Sequence, residues 1–290
     1  MKQKQLSFSS PTVLGWLSGW LRRDKSAAAS FFFLLMLVTF SLAAPYLAQH
    51  SPTDQDLSNM LSRPSEIHWL GTDDLGRDIF SRLLFGGRVA VYASLLAVGI
   101  AVVLGVPVGI LAGYMGGWID DVIGRIVDTL LSFPAIVLAI AVTGALGIGL
   151  TNGMLAVGIV FSPQLARLAR ARTLVVRKNL YVDASRSFGA STLHILWRHI
   201  LPNVLQPVIV QVTILLAAAM LAEASLSFLG LGIQPPNPSW GAMLARAYQS
   251  MELAPEQMLA PGFAILLTAM AFNSLGEALR KELDPTSRKE

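Results

Sequence analysis

Six apolar stretches of about twenty residues or more constrain this chain more than any other feature, at about 28–48, 88–115, 123–147, 152–171, 203–229 and 258–279. A bilayer core about 30 Å thick takes about 20 apolar helical residues to cross. In hydrocarbon a single helix also satisfies its own backbone donors and acceptors, which an open strand does not. Composition agrees: 53% of the 290 residues are apolar and only 14% charged, against about 25% charged in soluble domains. A soluble fold of this length could not hide so much apolar surface. The expected fold class is an all-α membrane protein with six transmembrane helices.

Orientation follows from lysine and arginine, because basic residues close to spans stay cytoplasmic. Lys2, Lys4, Arg22, Arg23 and Lys25 precede the first stretch; Arg280, Lys281, Arg288 and Lys289 end or follow the sixth. Arg167, Arg170, Arg172, Arg177, Lys178, Arg186 and Arg198 surround the connection between the fourth and fifth. Six spans put all three regions on one side. The acid-rich segment 49–87, with Asp54, Asp56, Glu66, Asp73, Asp74 and Asp78, falls on the other. The predicted organisation is a cytoplasmic tail (1–27), a first span (28–48), an extracytoplasmic segment (49–87), a core with five spans (88–280) and a cytoplasmic tail (281–290). Ala43-Ala44 after the first apolar run offers a signal-cleavage alternative, but the run is long and the preceding 27 residues exceed a usual n-region. Both termini are therefore expected in the cytoplasm. The net charge of +4 reflects this topology rather than a nucleic-acid partner.

Several chemistries are excluded. Without cysteine there is no disulfide framework, thiolate nucleophile or cysteine-held metal. The four histidines, His50, His68, His194 and His199, form no H-E-x-x-H pair, the helical zinc signature of metalloproteases. No Gly-Lys dipeptide occurs, so a Walker A phosphate loop is missing, and any ATP and Mg must be held by another chain. The reading is a transport subunit, not an enzyme, with no cofactor or metal of its own.

Within the spans, Gly105, Gly109 and Gly113 recur every fourth residue. That spacing lays a groove along one helix face for close helix packing, either within the chain or between subunits. Pro107, Pro134 and Pro163 lie inside the second, third and fourth stretches, where proline removes a backbone donor and kinks a helix. Ionisable residues are few: Arg125 and Asp128 early in the third stretch and Glu223 late in the fifth. A charge at the bilayer centre costs about 2.5–3.5 kcal/mol on insertion scales, so these three are the candidate gate or pathway residues. Arg125 and Asp128, three apart, could pair on one helix face, but both sit near the cytoplasmic end, which favours a snorkelling or helix-anchoring role. No chain of such groups crosses the bilayer, which disfavours a proton-coupled secondary transporter.

The connection between the fourth and fifth stretches carries the richest pattern. Tyr181-Val182-Asp183-Ala184-Ser185-Arg186-Ser187-Phe188 predicts a short helix stopped at Gly189, a residue suited to a left-handed cap. Ser191 can cap a second helix that carries Leu193, Leu196, Trp197 and Ile200 on roughly one face. Pro202 marks a turn into the next span. A rigid helix–turn–helix with an apolar face serves either as a docking device or as an amphipathic element on anionic lipid.

This segment resembles the EAA loop of binding-protein-dependent ABC importers, in which an acidic-Ala-Ala triplet precedes a glycine and a later Ile-Leu-Pro. Here it reads Asp183-Ala184-Ser185, Gly189 and Ile200-Leu201-Pro202, with Asp for Glu and Ser for the second Ala. The resemblance covers about residues 28–286. Gly71-Thr72-Asp73-Asp74-Leu75-Gly76-Arg77-Asp78, Ser227-Phe228-Leu229-Gly230-Leu231-Gly232, Pro238-Ser239-Trp240-Gly241 and Gly276-Glu277-Ala278-Leu279-Arg280 look like the second-permease family of dipeptide, oligopeptide, nickel and glutathione importers.

That resemblance implies a type I importer in the bacterial inner membrane. Two homologous permeases would form the pore, two ATPase subunits would bind ATP and Mg, and an extracytoplasmic binding protein would deliver a peptide. Tyr181, Asp183, Ala184, Ser185, Arg186, Phe188, Gly189, Arg198, His199, Ile200, Leu201 and Pro202 would form the ATPase-docking coupling loop. Asp73, Asp74, Arg77, Asp78, Pro235, Pro236 and Trp240 would face the binding protein or line the outer mouth.

Overall fold

Asp24 opens the first helix with its own carboxylate, which accepts the Ser26 and Ala27 N–H groups at the start of α1 (Lys25–Leu42). The structure, a computed structural model, describes residues 24–283; Lys2, Lys4, Arg22, Arg23, Arg288 and Lys289 of the predicted tails lie outside them. A short α2 (Ala44–Leu47) follows. Then α3 (Ile79–Met115) runs for 37 residues, earlier in its start than the expected 88. Asp78 makes that early start possible by accepting the Ser81 N–H at 2.7 Å, and Gly116, at φ +69°, ends the helix.

The third apolar stretch is not one helix. It divides into α4 (Gly117–Leu131) and α5 (Ala135–Leu146), bent by 96°. Pro134 sits at the break with extended backbone, φ −57° and ψ 123°. Proline has no N–H to continue the ladder and biases the preceding residue away from helix, so an uninterrupted apolar run concealed an elbow. At 1.5 Å per residue, the 12 residues of α5 rise only about 18 Å, short of a bilayer core on their own.

The central α6 (Leu150–Val176) packs along α3 most extensively. The glycine stripe explains this. A Cβ on Gly105 would lie 2.3 Å from the Ser162 carbonyl oxygen, one on Gly109 2.2 Å from that of Ala166, and one on Gly113 2.8 Å from that of Arg170. The stripe therefore packs within the chain, backbone against backbone. Gly158 returns the fit, placing its Cα where a side chain would strike Ala97 and Ile100.

Beyond α6 come α7 (Leu180–Ser187), α8 (Thr192–Ile195), a widened π-helical turn (Leu196–Ile200) and α9 (Leu201–Phe228). Pro202 marks no turn, contrary to expectation: Thr192–Phe228 is one helical rod of 37 residues. A π-turn inserts one residue into the helical ladder directly before the proline, where the ring would otherwise meet the preceding turn. The chain closes with α10 (Trp240–Gln249) and α11 (Leu259–Leu283).

Helix α9 packs against α3, α6 and α11, while α11 also holds α1. The main core joins Ala97, Met154, Leu165, Val204 and Leu226, all buried, with Val182, Ile195 and Ile200 at the same end as α7. A second cluster around Ile79, Met220, Trp240 and Met243 lies at the opposite end. Among the described residues four helices are long and apolar enough to cross a membrane, or five if the bent pair counts as one. Helix α6 is 27 residues long, but its second half carries Arg167, Arg170 and Arg172.

Candidate functional site

Two candidate functional regions stand at opposite ends of the bundle. The first is the hairpin from Asn179 to Pro202. Helix α7 ends in a Schellman motif: Ala190 N–H donates to the Ser185 carbonyl at 3.0 Å and Gly189 N–H to that of Arg186 at 3.0 Å. Gly189 takes φ +80°, the left-handed conformation that other residues resist. Ser191 then caps α8 by accepting the His194 N–H. Both features match the sequence reading.

The side chains around this turn divide into an anchor and an exposed face. Val182, Ile195 and Ile200 are buried in the bundle core, and they fix the hairpin's orientation. Ser185 Oγ donates to the Tyr181 carbonyl at 2.9 Å and lies 2.9 Å from His199 Nε2, so the serine that replaces an alanine in the motif ties the two arms together. The Tyr181 and His199 rings pack at 5.6 Å, and Leu201 is half-buried beyond them. Outward point Phe188 at 91% exposure, Leu180 at 86%, and Leu193 and Trp197 at about two-thirds. Asp183 and Arg186 stand together at 3.9 Å, beside the exposed Ala184, and Arg198 and Pro202 are exposed as well. The expectation that Leu193, Leu196, Trp197 and Ile200 share one face is corrected. Leu193 and Trp197, four apart, face out, whereas the π-turn rotates Ile200 into the core.

The second region is a polar cap built from residues 48–78 and 229–258. Asp73 organises it: one oxygen accepts the Leu75 and Arg77 N–H groups, and the other accepts Arg77 Nε at 2.8 Å. Arg82 Nη1 donates to the Pro52 carbonyl at 2.6 Å. Arg246 of α10 reaches Asp74 at 2.8 Å, Gln257 reaches the Thr72 carbonyl at 2.7 Å, and the Trp240 indole donates to the Leu83 carbonyl at 2.9 Å. Gly76, at φ +71°, leaves room for the Asp56 backbone, which a Cβ would meet at 1.8 Å. Hydrogen bonds from Asn59 and Ser58 hold the Asp56 carboxyl below the usual carboxylate range.

This cap changes the meaning of the Gly71–Asp78 motif. Arg77 is 1% exposed, and Asp73, Asp78 and Trp240 are also buried, so these four serve the chain's own fold and present no surface to a partner. Asp74 is partly accessible, and Pro235 and Pro236 are exposed. The ion pairs also explain arginines at an otherwise acidic end: Arg77, Arg82 and Arg246 are matched by Asp73 and Asp74.

The three intramembrane candidates separate. Asp128 pairs with Arg167 of α6, not with Arg125, because the bend at Pro134 lays α4 across the arginine-bearing half of α6. Asp120 likewise meets Arg170, at 2.7 Å to Nη2. These groups and Arg125 line a polar cleft of about 370 Å³ between α3, α4 and α6. Glu223 is buried between helices instead, accepting the Ser227 hydroxyl at 2.7 Å. A separate groove of about 440 Å³, lined by Ala139, Phe161, Gln164, Leu221 and Ser225, runs between α5, α6 and α9.

Known proteins resemble this chain in sequence and in fold. Residues 105–289 match the family model for binding-protein-dependent transport system inner membrane components, and residues 16–64 match the N-terminal TM domain of oligopeptide transport permease C. The chain is 45% identical over 273 residues to the glutathione transport system permease protein GsiD of Shigella flexneri serotype 5b, covering 93% of this chain and 90% of that one. It is 44% identical to its counterpart in Pectobacterium atrosepticum, over 93% and 91%. Among solved structures, a chain of the MetNI methionine ABC transporter in an inward-facing conformation superposes with a TM-score of 0.58 at 19% identity, covering 71% of this chain and 98% of that one; at that identity the likeness concerns the fold alone. The chain belongs to the family of binding-protein-dependent transport system inner membrane components and is a permease component of a bacterial ABC importer.

Proposed function

We propose that this permease carries glutathione or a short peptide of similar size across the inner membrane, and that the hairpin at Gly189 couples it to a separate ATPase. The observation that carries the coupling reading is the pairing of a rigid anchor with an exposed apolar tip. Val182 and Ile200 are locked in the core, while Phe188 and Leu180 stand almost fully in the open. A surface of that kind marks an interaction site. Because the hairpin is built on Schellman and serine caps rather than on a loose loop, force applied at Phe188 passes into the bundle.

The family supports the following assembly. A second, homologous permease completes the pathway, two ATPase subunits hold ATP and Mg, and a binding protein delivers the substrate to the polar cap. On this reading α6 and the α4–α5 pair each count as a span, giving six with both termini cytoplasmic. The segregation of Arg170, Arg177, Arg186 and Arg198 at the hairpin end supports that orientation. The apolar groove between α5, α6 and α9 faces the second permease and forms half of the pathway. The relatives that name glutathione support the substrate class.

The test combines purification with uptake. The tagged chain is extracted gently from its native membranes, and glutathione and dipeptide uptake are compared in cells with and without it. Copurification of a second permease and P-loop ATPases, together with loss of glutathione uptake on deletion, is the expected result. A chain that emerges alone or as a homo-oligomer under several mild detergents overturns the coupling reading. If ATPase copurifies but glutathione uptake is unchanged, only the substrate assignment falls. Replacing Phe188 with Ser separates ATPase docking from lipid contact, since a lipid-facing residue leaves ATPase recovery unchanged.

A further inference from the structure

The polar cap contains a cluster of two histidines and an aspartate to which the coupling reading gives no role. His50 follows α2, His68 lies in the loop before the Gly71 turn, and Asp78 caps α3. One donor atom from each lies within 4.8 Å of the others. His68 Nδ1 is 3.0 Å from Asp78 Oδ1, and the two imidazole rings stand 4.6 Å apart at a tilt of 35°. Independently, His50 Nδ1 is buried and has no hydrogen-bond partner. A buried polar atom left without a partner is costly, and in a native protein it calls for an ordered water or an ion.

The three arms are held by contacts outside the facing donor atoms, apart from the His68 Nδ1–Asp78 Oδ1 contact, which a bound ion would replace. Asp78 spends its other oxygen, Oδ2, on the Ser81 N–H. The backbone of His50 donates to Ser81 Oγ at 3.3 Å and that of His68 to Ser65 Oγ at 3.0 Å. Two donors each about 2.1 Å from a tetrahedral ion lie roughly 3.4 Å apart, so His68 and Asp78 already approach that separation. Drawing His50 in closes a gap of at most 4.8 Å between donor atoms. Two imidazoles with one carboxylate suit zinc and its first-row neighbours, whereas magnesium and calcium prefer an all-oxygen shell. The cluster opens on a cleft of about 480 Å³ lined also by Gln49, Asp54 and Asp56, which leaves space for a fourth ligand or water.

We propose that His50, His68 and Asp78 form a three-ligand site for a divalent transition-metal ion of the zinc class, which clips the two arms of the cap onto the start of α3.

The purified full-length permease, with whatever subunits it retains, is stripped with EDTA, dialysed and titrated with zinc chloride alone; magnesium chloride is the control. Bound metal is counted by mass spectrometry, affinity is measured by calorimetry, and cap stability is followed by protease protection of segment 49–78. One zinc per chain is expected, with a zinc-dependent gain in protection. Since loss of an outer-shell partner alone costs metal sites about tenfold or more, His50→Ala is expected to weaken zinc binding at least about tenfold and to abolish the gain. His50→Cys, which supplies a thiolate, is expected to restore both. Zinc held no tighter than magnesium, or equal affinity in wild type and His50→Ala, overturns the site. If His50→Ala fails to assemble, His50→Cys decides: zinc-dependent protection upholds the site, and indifference to zinc overturns it.

Discussion

The Ser185 hydroxyl lies 2.9 Å from Nε2 of His199, fastening the helix before the Gly189 turn to the widened turn after it. One such neutral hydrogen bond is worth about 1 kcal/mol net. Ser185→Ala is therefore expected to leave insertion and assembly intact and to lower ATP-driven uptake by a few-fold, about fivefold at most. His199→Ala should match it, and the double variant should be no worse than either. Additive losses in a proteoliposome uptake assay would show that the two residues act separately.

Gly189 sits at φ +80° with nothing within 4 Å of where a Cβ would stand. The cost of substitution there is conformational alone. A left-handed backbone costs an ordinary residue about 1–2 kcal/mol, less for Asn and more for a β-branched side chain. Uptake is expected to fall in the order Gly189, Gly189→Asn, Gly189→Val, with the last near background while membrane levels stay normal. Equal uptake for the Asn and Val variants would remove the turn from the mechanism.

Helix α3 supplies its own control for close packing. Gly109 faces the Ala166 carbonyl, where a Cβ would come within 2.2 Å, but Gly99 on the same helix has open space. Overpacking costs about 1–3 kcal/mol, so Gly109→Ala should lower the thermal midpoint measured in detergent by several degrees. Gly99→Ala should leave it unchanged. A similar shift for both would mean that helix flexibility, not contact with α6, gives Gly109 its importance.

Asp73 and Arg77 form a buried pair, joined at 2.7 Å. Removing one partner from such a pair typically costs about 3–5 kcal/mol, because the other charge stays behind unpaired. Asp73→Asn is expected to expose residues 49–78 to protease and lower the yield of folded chain sharply. Arg246→Ala, at a pair about one-quarter to one-third exposed, should cost far less. The readout is limited proteolysis of the purified permease, and equal sensitivity of the two variants would contradict the ranking.

Legibility varied with whether the deciding interaction was local. The Gly189 stop and Ser191 cap were readable because both ends of the turn fall within a few residues. The glycine stripe announced close packing, but its partner on α6 depended on the three-dimensional arrangement. Pro134 was readable as a kink but not as an elbow: apolar residues on both sides gave no sign that the helix would turn through 96°. That bend reassigned Asp128 from Arg125 to Arg167. The Gly71–Asp78 motif misled in the opposite direction. Its charges read as an exposed face, and only long-range partners such as Gln257 and Arg246 revealed them as interior scaffolding. His50 carried no local signal, since its neighbours His68 and Asp78 are distant in sequence.

The continuity of Thr192–Phe228 has a mechanical consequence. A continuous helix of 37 residues is about 55 Å long, and it begins near the exposed Trp197 and ends beside the cap at Leu229. Were the chain hinged at Pro202, a push on the hairpin would dissipate at the joint. With a π-turn in place of a hinge, a rigid-body tilt of about 5° at one end would sweep the other by about 5 Å, so on the proposed coupling reading the hairpin and the cap are geared together by a single shaft.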